Sequence, residues 1–284
     1  MKWLTITCLC CAALLACSAL LVLRTDVDAA VPADAAAAPR PADRAAALQA
    51  ARRSCDAAQL DRFVDEQRAL ARGAPGDAAT LRLCAEALLE RVVLRNQQKG
   101  MRVGEPLRDR VPAATATDVD DALELLHAAR RIAATAADWR LEAALLGNRI
   151  TGLASALQWN GRIEQALQQA ARLDDRDPQL HVALGLRKLL APRLLGHDPA
   201  AALAHFDYAA RVLPDDERPR VFAAMAAWLL QKRQAAITWL EQAVAVNPNN
   251  VFAQAVLMRV RRDEPDPFGR DVGTVDAAAT GSGR

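Results

Sequence analysis

Histidines are the residues of this sequence whose types and spacing come nearest to a metal site. Four are present, and His197 and His205 stand eight positions apart (205 − 197), which can put two imidazoles on one face of a helix. No cysteine, aspartate or glutamate completes a ligand set around them at the spacing that zinc sites use. We therefore expect surface or half-buried histidines, with neither a metal nor another cofactor.

Acidic residues cluster beside two prolines and raise the question of acid–base chemistry. Asp174, Asp175 and Asp177 precede Pro178, and residues 215–217 follow a proline further along the chain. Both groups lie where helices are expected to end and begin, so capping and helix-dipole roles account for them. The sequence also has no phosphate-binding glycine loop and no Gly-x-Ser-x-Gly motif. We predict that the protein is not an enzyme.

Charge and composition narrow the class of partner. Lysine and arginine total 36 against 34 aspartate and glutamate, a net charge of +2 that argues against a nucleic-acid surface. Hydrophobic residues make up 52% and aromatic residues 4%, which favours closely packed helices over sheets. Three arginine pairs are predicted to lie on solvated helix faces: Arg52–Arg53, Arg130–Arg131 and Arg261–Arg262.

The amino-terminal segment has the properties of a membrane span. Trp3 to Leu23 carries no charged residue, and about 20 apolar residues suffice for a helix to cross a bilayer. Within it, Leu14-Leu15-Ala16-Cys17 resembles the lipobox of bacterial lipoproteins, which would be cut before Cys17 and lipidated there. An uncleaved anchor, a lipoprotein and a cleaved soluble form all stay open. Each places the remaining chain in the bacterial cell envelope, where we expect it to face the periplasm.

The chain divides by composition into four parts. Residues 1–23 are the anchor or lipoprotein signal, 24–43 an Ala/Pro-rich disordered tether, 44–262 a helical domain and 263–284 a disordered tail. No stretch of the helical domain shows convincing strand alternation. The expected fold class is therefore all-α, with an N-terminal membrane segment.

Helix-breaking stretches within the helical domain predict where helices end. Residues 54–56 and 73–77 are expected breaks, and residues 96–116 read as a long connection rich in Gly and Pro. Thr117 with Asp120 has the spacing of a capping box that opens the next helix.

Two cysteines, Cys55 and Cys84, lie outside the apolar segment and its acylation candidate. An oxidising compartment would permit a disulfide between them. Two buried thiols are the other interpretation, and the sequence leaves both open.

Two stretches of the domain repeat one pattern. Ala202 to Asp216 (ALAHFDYAARVLPDD) aligns without a gap with Ala236 to Asn250 (AITWLEQAVAVNPNN), and their prolines, Pro214 and Pro248, are 34 residues apart (248 − 214). Small residues recur at matching positions, where they let helices approach closely, and each proline ends a helix that it cannot continue. A third copy is expected in residues 166–180.

The third copy extends the repeat to three units with similar spacing. It would end at Pro178, 36 residues before Pro214 (214 − 178), with a turn between its two helices at Gly161. A period of 34 residues with paired helices resembles the tetratricopeptide repeat (TPR) family, most clearly over residues 147–250. The resemblance implies a right-handed superhelix of stacked antiparallel helix pairs, because one pair alone leaves its apolar face open.

The resemblance also implies a concave groove, lined by the first helix of each pair, that receives a peptide or protein partner. Trp159 and Trp228 are expected as its main contacts, since tryptophan is enriched among binding hot spots, although both could instead fill gaps between units. Carried over position by position, the groove residues are Asn148, Thr151, Ser155, Gln158, Trp159, Arg218, Val221, Met225, Trp228 and Leu229.

One segment suggests a second, narrower resemblance. Leu194 to Phe206 (LLGHDPAAALAHF) is similar to the Gly-Gly-Asp segment of T-components of TRAP transporters, which are TPR-like envelope lipoproteins, with His197 at the second glycine. Alternatively, Asp198 and Pro199 simply begin a helix.

The sequence as a whole predicts a non-catalytic interaction scaffold of the bacterial envelope, tied to the membrane by its N-terminus and without a nucleic-acid partner. The alternative is a small-molecule-binding accessory of a TRAP-type solute transporter.

Overall fold

A computed structural model describes residues 40–98, 113–150 and 152–269, and this part of the chain is helical with no strand. One short 3-10 turn, Arg193–Leu195, stands between the seventh and eighth of eleven α-helices. The α-helices are α1 (Pro41–Ser54), α2 (Ala57–Gly73), α3 (Ala78–Gln98), α4 (Ala113–Ile132), α5 (Ala136–Gly147), α6 (Leu153–Leu173), α7 (Pro178–Leu190), α8 (Pro199–Val212), α9 (Arg218–Leu229), α10 (Arg233–Val246) and α11 (Val251–Arg261).

The helices pack as five consecutive hairpins with a final helix. The pairs are α1–α2, α3–α4, α5–α6, α7–α8 and α9–α10, and α11 packs on α10. The second helix of each hairpin contacts the first helix of the next, and the first helices also contact one another in order. This arrangement confirms the predicted all-α, TPR-like stack of antiparallel helix pairs.

Small residues hold the last two hairpins together as the repeated pattern predicts. Ala202, Phe206 and Ala209 of α8 are fully buried, and so are the matching residues of α10, Ala236, Leu240 and Ala243. An alanine at these positions lets the partner helix approach, while the bulky residue between them fills the interface.

The third copy has a different register from the predicted one. Pro178 is the first residue of α7, whereas Pro214 and Pro248 follow the C-caps of α8 and α10. The equivalent C-caps are Asp174, Leu213 and Asn247, which are 39 and 34 residues apart (213 − 174 and 247 − 213). The five extra residues lie in the connection from α7 to α8, which spans residues 191–198 against residues 230–232 in the next hairpin.

Gly161 was expected at a turn, but it lies inside the continuous helix α6. Helix-forming residues with an apolar period flank it on both sides, so the cost of one glycine, about 1 kcal/mol, does not break the helix. The expected capping box is also wrong, because α4 already begins at Ala113 and Thr117 is internal to it. The capping pair in this region is Thr135 with Asp138, where the Thr135 backbone N–H donates to Asp138 Oδ2 at 2.8 Å before α5.

Both ends of the helical domain extend further than predicted. α1 begins at Pro41, within the expected tether, because the fixed φ of proline suits the first turn of a helix. Residues 263–269, expected in the tail, pack on the domain: Phe268 is buried, and Arg259 Nη1 donates to the carbonyl of Pro267 at 3.2 Å. A buried phenylalanine holds this segment where composition alone predicts disorder.

The predicted membrane segment, the lipidation candidate Cys17 and the tether up to residue 39 lie outside the described residues. Among the helices described, none combines the length and apolar character needed to cross a bilayer.

Candidate functional site

The groove residues predicted on α9 lie mostly in the core. Val221 and Met225 are each only 1% exposed, so they were wrongly predicted to face a partner. Trp228 and Leu229 are half-buried and pack against the cluster around Phe206 and Leu240. From Val221 to Leu229, α9 is apolar on every side, which is typical of a helix that its neighbours cover. The packing thus favours gap filling as the role of Trp228.

Arg218, the remaining predicted residue of α9, belongs to a buried ion network. Its Nη1 donates to Glu90 Oε1 of α3 at 2.6 Å, and its Nη2 to Asp216 Oδ2 at 2.7 Å. From α1, Arg52 Nη1 lies 3.3 Å from Asp216 Oδ1 and 3.4 Å from Glu217 Oε1. The network therefore joins helices from three hairpins.

Amide side chains complete this network and tie the first hairpin to the last. Asn247 Nδ2 donates to Glu217 Oε1 at 3.1 Å, and Gln179 Nε2 donates to Asp216 Oδ2 at 3.2 Å. Arg53 Nη2 of α1 donates to the carbonyl of Val246, the last residue of α10, at 2.9 Å. The cavity beside the network, lined by Arg52, Glu90 and Arg218 among others, holds only about 20 Å³, room for roughly one water molecule. The protein's own side chains thus leave little open space beside the network, and the partner-binding groove stays a prediction.

The ionisation of the network follows from its pairing. Burial alone would raise the pKa of Asp216, but Arg218 and Arg52 offset that effect and hold this pKa well below its usual range. Burial raises the pKa of Glu86, on the same helix as Glu90. Asp216 therefore stays charged beside its two arginines, whereas burial makes the Glu86 carboxyl harder to ionise.

The predicted residues of α6 lie on the second helix of a hairpin, not on the groove-lining first helix. Asn148 ends α5, where its Oδ1 accepts from Asn96 Nδ2 at 2.8 Å. Ser155 Oγ accepts from the Gly152 backbone N–H at 3.1 Å and so caps α6, and Gln158 is exposed. Thr151 lies outside the described residues. Asn148 and Ser155 therefore have local structural roles that the resemblance did not indicate.

Trp159 is half-buried and packs against the N-terminal core cluster. Guanidinium groups flank its ring, that of Arg149 at 5.2 Å and that of Arg162 at 5.5 Å from the ring centroid. These distances are those of cation–π contacts. The ring is thus held by the core on one side and by two arginines, and its role as a partner contact stays a prediction.

Four leucines of α6, α7 and the turn after α7 are exposed, and we call them the leucine patch. Leu153 and Leu157 share a stripe of α6 with Asn160, whose Oδ1 accepts from Arg187 Nη2 of α7 at 2.6 Å. Because α6 and α7 are antiparallel, residues before Asn160 lie level with residues after Arg187. Those residues are Leu190 and Leu194. The exposed fractions are 48% for Leu153, 59% for Leu157, 42% for Leu190 and 88% for Leu194.

The opposite flank of α6 borders a polar cleft, the arginine cleft, of about 310 Å³ between α4, α5 and α6. In it, the Arg130 guanidinium stacks 4.0 Å from the centroid of the Trp139 ring. Glu142 lies between two arginines, with Oε2 at 2.5 Å from Arg130 Nη1 and Oε1 accepting from Arg162 Nη2 at 3.1 Å. The cleft is lined by His127, Arg130, Trp139, Glu142, Arg162, Gln165 and Ala166.

The contact between Arg130 and Glu142 is close but incomplete. Both Arg130 Nη1 and Glu142 Oε2 are buried, and neither has a partner with hydrogen-bond geometry, so their approach is a charge contact without a formed hydrogen bond. Burial and the charge of Arg130 lower the pKa of His127, which keeps this imidazole neutral at pH 7. The arginine pairs were predicted to be solvated; Arg52 and Arg130 are instead enclosed.

The histidines meet in a different combination from the predicted one. His181 Nδ1 of α7 lies 3.1 Å from His205 Nδ1 of α8, while His197 lies in the connection between these helices. Burial and the neighbouring His181 lower the pKa of His205. Within the described ranges, no three histidine, cysteine or acidic side chains come close enough to hold a metal ion. At His197, the following Asp198 caps α8 by accepting from the N–H groups of Ala200 and Ala201, which confirms the capping interpretation of this segment.

Cys55 and Cys84 are both free thiols, so the disulfide that the sequence allowed is not formed. Cys84 is fully buried and Cys55 partly exposed. Burial raises the pKa of each thiol to about 11, and at Cys55 the carboxylate of Glu217 adds to the effect.

Comparison with known proteins gives matches in structure alone. No protein-family model matches the sequence, and no curated protein matches it either. Among solved structures, the chain is similar to YrrB, a TPR protein with an unusual peptide-binding site, at 14% identity and a TM-score of 0.36, over 70% of this chain and 91% of that one. It is also similar to the APC/C hetero-tetramer Cut9-Hcn1 at 16% identity and a TM-score of 0.42, over 76% of this chain and 42% of that one. Both likenesses are weak, and the fold assignment rests on the helix packing itself.

Proposed function

We propose that this chain is a non-catalytic scaffold that holds a protein partner against α6 and α7. The observation that carries the proposal is the leucine patch, four exposed apolar side chains that the Asn160–Arg187 contact and the antiparallel packing of α6 and α7 bring to one side of the fold. Soluble proteins scatter exposed leucines singly, whereas contiguous apolar surface marks contact with another molecule. The region around the Arg52–Arg218 network is a poorer docking site, because the cavity beside it holds only about 20 Å³.

The helical hairpins suit this role because they present the patch on a rigid base. Arg187 Nη2 of α7 donates to Asn160 Oδ1 and lies 3.6 Å from Glu164 Oε2, so the patch leucines of α6 and α7 are held in register, while Leu194 projects from the turn that follows. A preorganised surface loses little conformational entropy on binding. Neither of the two cavities described above is enclosed and apolar, so no observation favours the alternative of a small-molecule-binding transporter accessory.

Site-specific photo-crosslinking in cells tests the scaffold. A photoreactive residue replaces Leu194 in the full chain, and the matched control replaces Val212, an exposed apolar residue of α8. We expect Leu194 to yield a distinct crosslinked protein that Val212 does not yield. Equal products from both positions, no product from Leu194, or crosslinks only to a second copy of this chain would contradict the proposal.

We also propose that the scaffold works in the bacterial cell envelope, tied to the membrane by residues 1–23 and facing the periplasm. The uncharged Trp3–Leu23 segment supports this location. The intact mass of protein recovered from native membranes tests it: the full-chain mass indicates an anchor, and a mass that begins at Cys17 with added acyl chains indicates a lipoprotein. Recovery of the full chain only from the cytosol would contradict both.

A further inference from the structure

We propose that the arginine cleft binds a carboxylate side chain from an acidic segment of the protein partner, and that Glu142 occupies this position in the free protein. The inference rests on the proposed function, because the acidic segment belongs to the partner that covers the leucine patch. Two arginines, Arg130 and Arg162, converge on the single carboxylate of Glu142. A second carboxylate would leave one arginine for each acid.

The hydrogen bonds of the cleft are incomplete in a way that a carboxylate would satisfy. Arg130 Nη1 is buried and has no partner with hydrogen-bond geometry, although Glu142 Oε2 lies 2.5 Å away. A buried donor without a well-aligned acceptor costs free energy, and a guanidinium forms its strongest hydrogen bonds with carboxylates. Because Arg130 is stacked on Trp139, its plane is already fixed for an incoming acid.

The rim of the cleft is accessible and chemically matched to a peptide. Half of the Arg162 side chain is exposed, and its described hydrogen bond goes to Glu142 alone. Gln165, one turn further along α6, is exposed and offers an amide donor and acceptor for a peptide backbone. An arginine that is half exposed can rotate from Glu142 to a ligand without unfolding the helix.

A protein segment fits better than a nucleic acid or a free phosphate. The cleft carries few positive charges, and the net charge of the chain is only +2, whereas nucleic-acid binding depends on many phosphate contacts. The cleft also shares α6 with the leucine patch. Leu157 and Arg162 are five residues apart, about 7.5 Å along the helix axis, but they lie on opposite flanks of α6, so a partner that reaches both must extend around this helix.

Binding of a hexaglutamate peptide to the full chain, measured by calorimetry at low salt, tests the inference. We expect saturable binding with one site, at least tenfold weaker for hexaglutamine and weakened by added NaCl, because exposed charges are screened. Arg162→Gln should lower the affinity about tenfold, the loss of one charge-assisted hydrogen bond. The matched control, Arg172→Gln, changes an exposed arginine of the same helix and should bind like the unaltered chain.

A second variant tests the role of Glu142. Glu142→Gln removes the competing charge, so hexaglutamate should bind severalfold more tightly, provided that circular dichroism shows the same helicity. Equal affinity of the Arg162 and Arg172 variants, or tighter binding of inorganic phosphate than of hexaglutamate, would overturn the inference. If hexaglutamate binds as expected but Leu194 captures no partner, the cleft chemistry stands and the scaffold proposal falls; the reverse result overturns the cleft alone.

Discussion

Two glycines inside helices have opposite surroundings, and this difference decides what a methyl group would do at each. At Gly185 of α7, an added Cβ would lie 2.5 Å from Cε1 of Phe206 on α8, whereas at Gly161 of α6 nothing lies within 4 Å. We expect Gly185→Ala to lower the free energy of unfolding by about 2 kcal/mol, because steric crowding outweighs the gain in helix propensity. Gly161→Ala should raise it by up to about 1 kcal/mol.

Urea denaturation of both variants checks this pair of predictions. Stabilisation by Gly185→Ala would mean that Phe206 moves aside easily and that α7 and α8 are less tightly packed than described. A loss at Gly161 would mean that α6 bends there, as the sequence first suggested.

The thiols of Cys55 and Cys84 should be nearly unreactive in the folded protein. Their pKa of about 11 leaves little thiolate at neutral pH, and thiolate is the reactive form. We expect iodoacetamide at pH 7.5 to label both at least about a hundredfold more slowly than in urea, as measured by peptide mass mapping. Fast labelling of Cys55 in the folded protein would show that its surroundings open.

Single residues were the hardest feature to predict from the sequence. Arg52 and Arg130 each stand in a pair of arginines on a helix, which is the usual pattern of a solvated face. Arg52 is buried because its partners, Asp216 and Glu217, arrive from 164 and 165 positions further along the chain. No local pattern encodes such a pairing, whereas burial of Ala209 and Ala243 follows directly from the repeated small residues.

At the scale of helices, the last hairpins were predictable and their spacing to the preceding one was not. The pattern of α8 and α10 repeats without a gap, so alignment alone sets their register. The α7–α8 connection carries five extra residues, so equivalent helix ends lie 39 residues apart, and the proline spacing of 36 therefore did not reveal that Pro178 begins a helix. Proline suits both the first turn of a helix and the residues after its end, so its presence cannot distinguish the two.

The segment after α11 belongs to the folded domain, and Phe268 tests this. Phe268→Ala should lower the free energy of unfolding by about 3 kcal/mol, since it removes a buried ring from the C-terminal core. Val251→Ala is the matched control on α11; this residue is exposed and should cost less than about 1 kcal/mol. Chemical denaturation measures both effects. Equally small effects would mean that residues 263–269 are not part of the folded domain.

At the scale of the whole molecule, Arg52 joins the first hairpin to the last. Arg52→Gln leaves two buried carboxylates with one cation fewer and should lower the free energy of unfolding by about 3 kcal/mol. Arg131→Gln, at an exposed position of α4, is the control and should stay within about 0.5 kcal/mol. Equal free energies of unfolding of the two variants would show that the contacts between the first and the last hairpin add nothing to stability.

The same network should make the protein sensitive to acid. The pKa of Asp216 is lower in the folded chain than its unfolded value near 4, so its contribution to stability is present above pH ~4 and is lost as the pH falls through the folded pKa. We expect the free energy of unfolding to fall more steeply between pH 5 and pH 2 in the unaltered protein than in Asp216→Asn. Urea titrations across this range measure the two slopes, and parallel slopes would contradict the assignment.

The contacts of Arg52 and Arg53 also determine how the domain resists a pulling force on its N-terminal end. A pull on the chain ahead of Pro41 would act on α1, and α1 is fastened both to its neighbours and, through Arg53, to the end of α10. A linear stack peels apart one hairpin at a time under such tension, because each unit is held by the next alone. Here the first hairpin would not detach until its link to the last also broke, so rupture would occur as one high-force event.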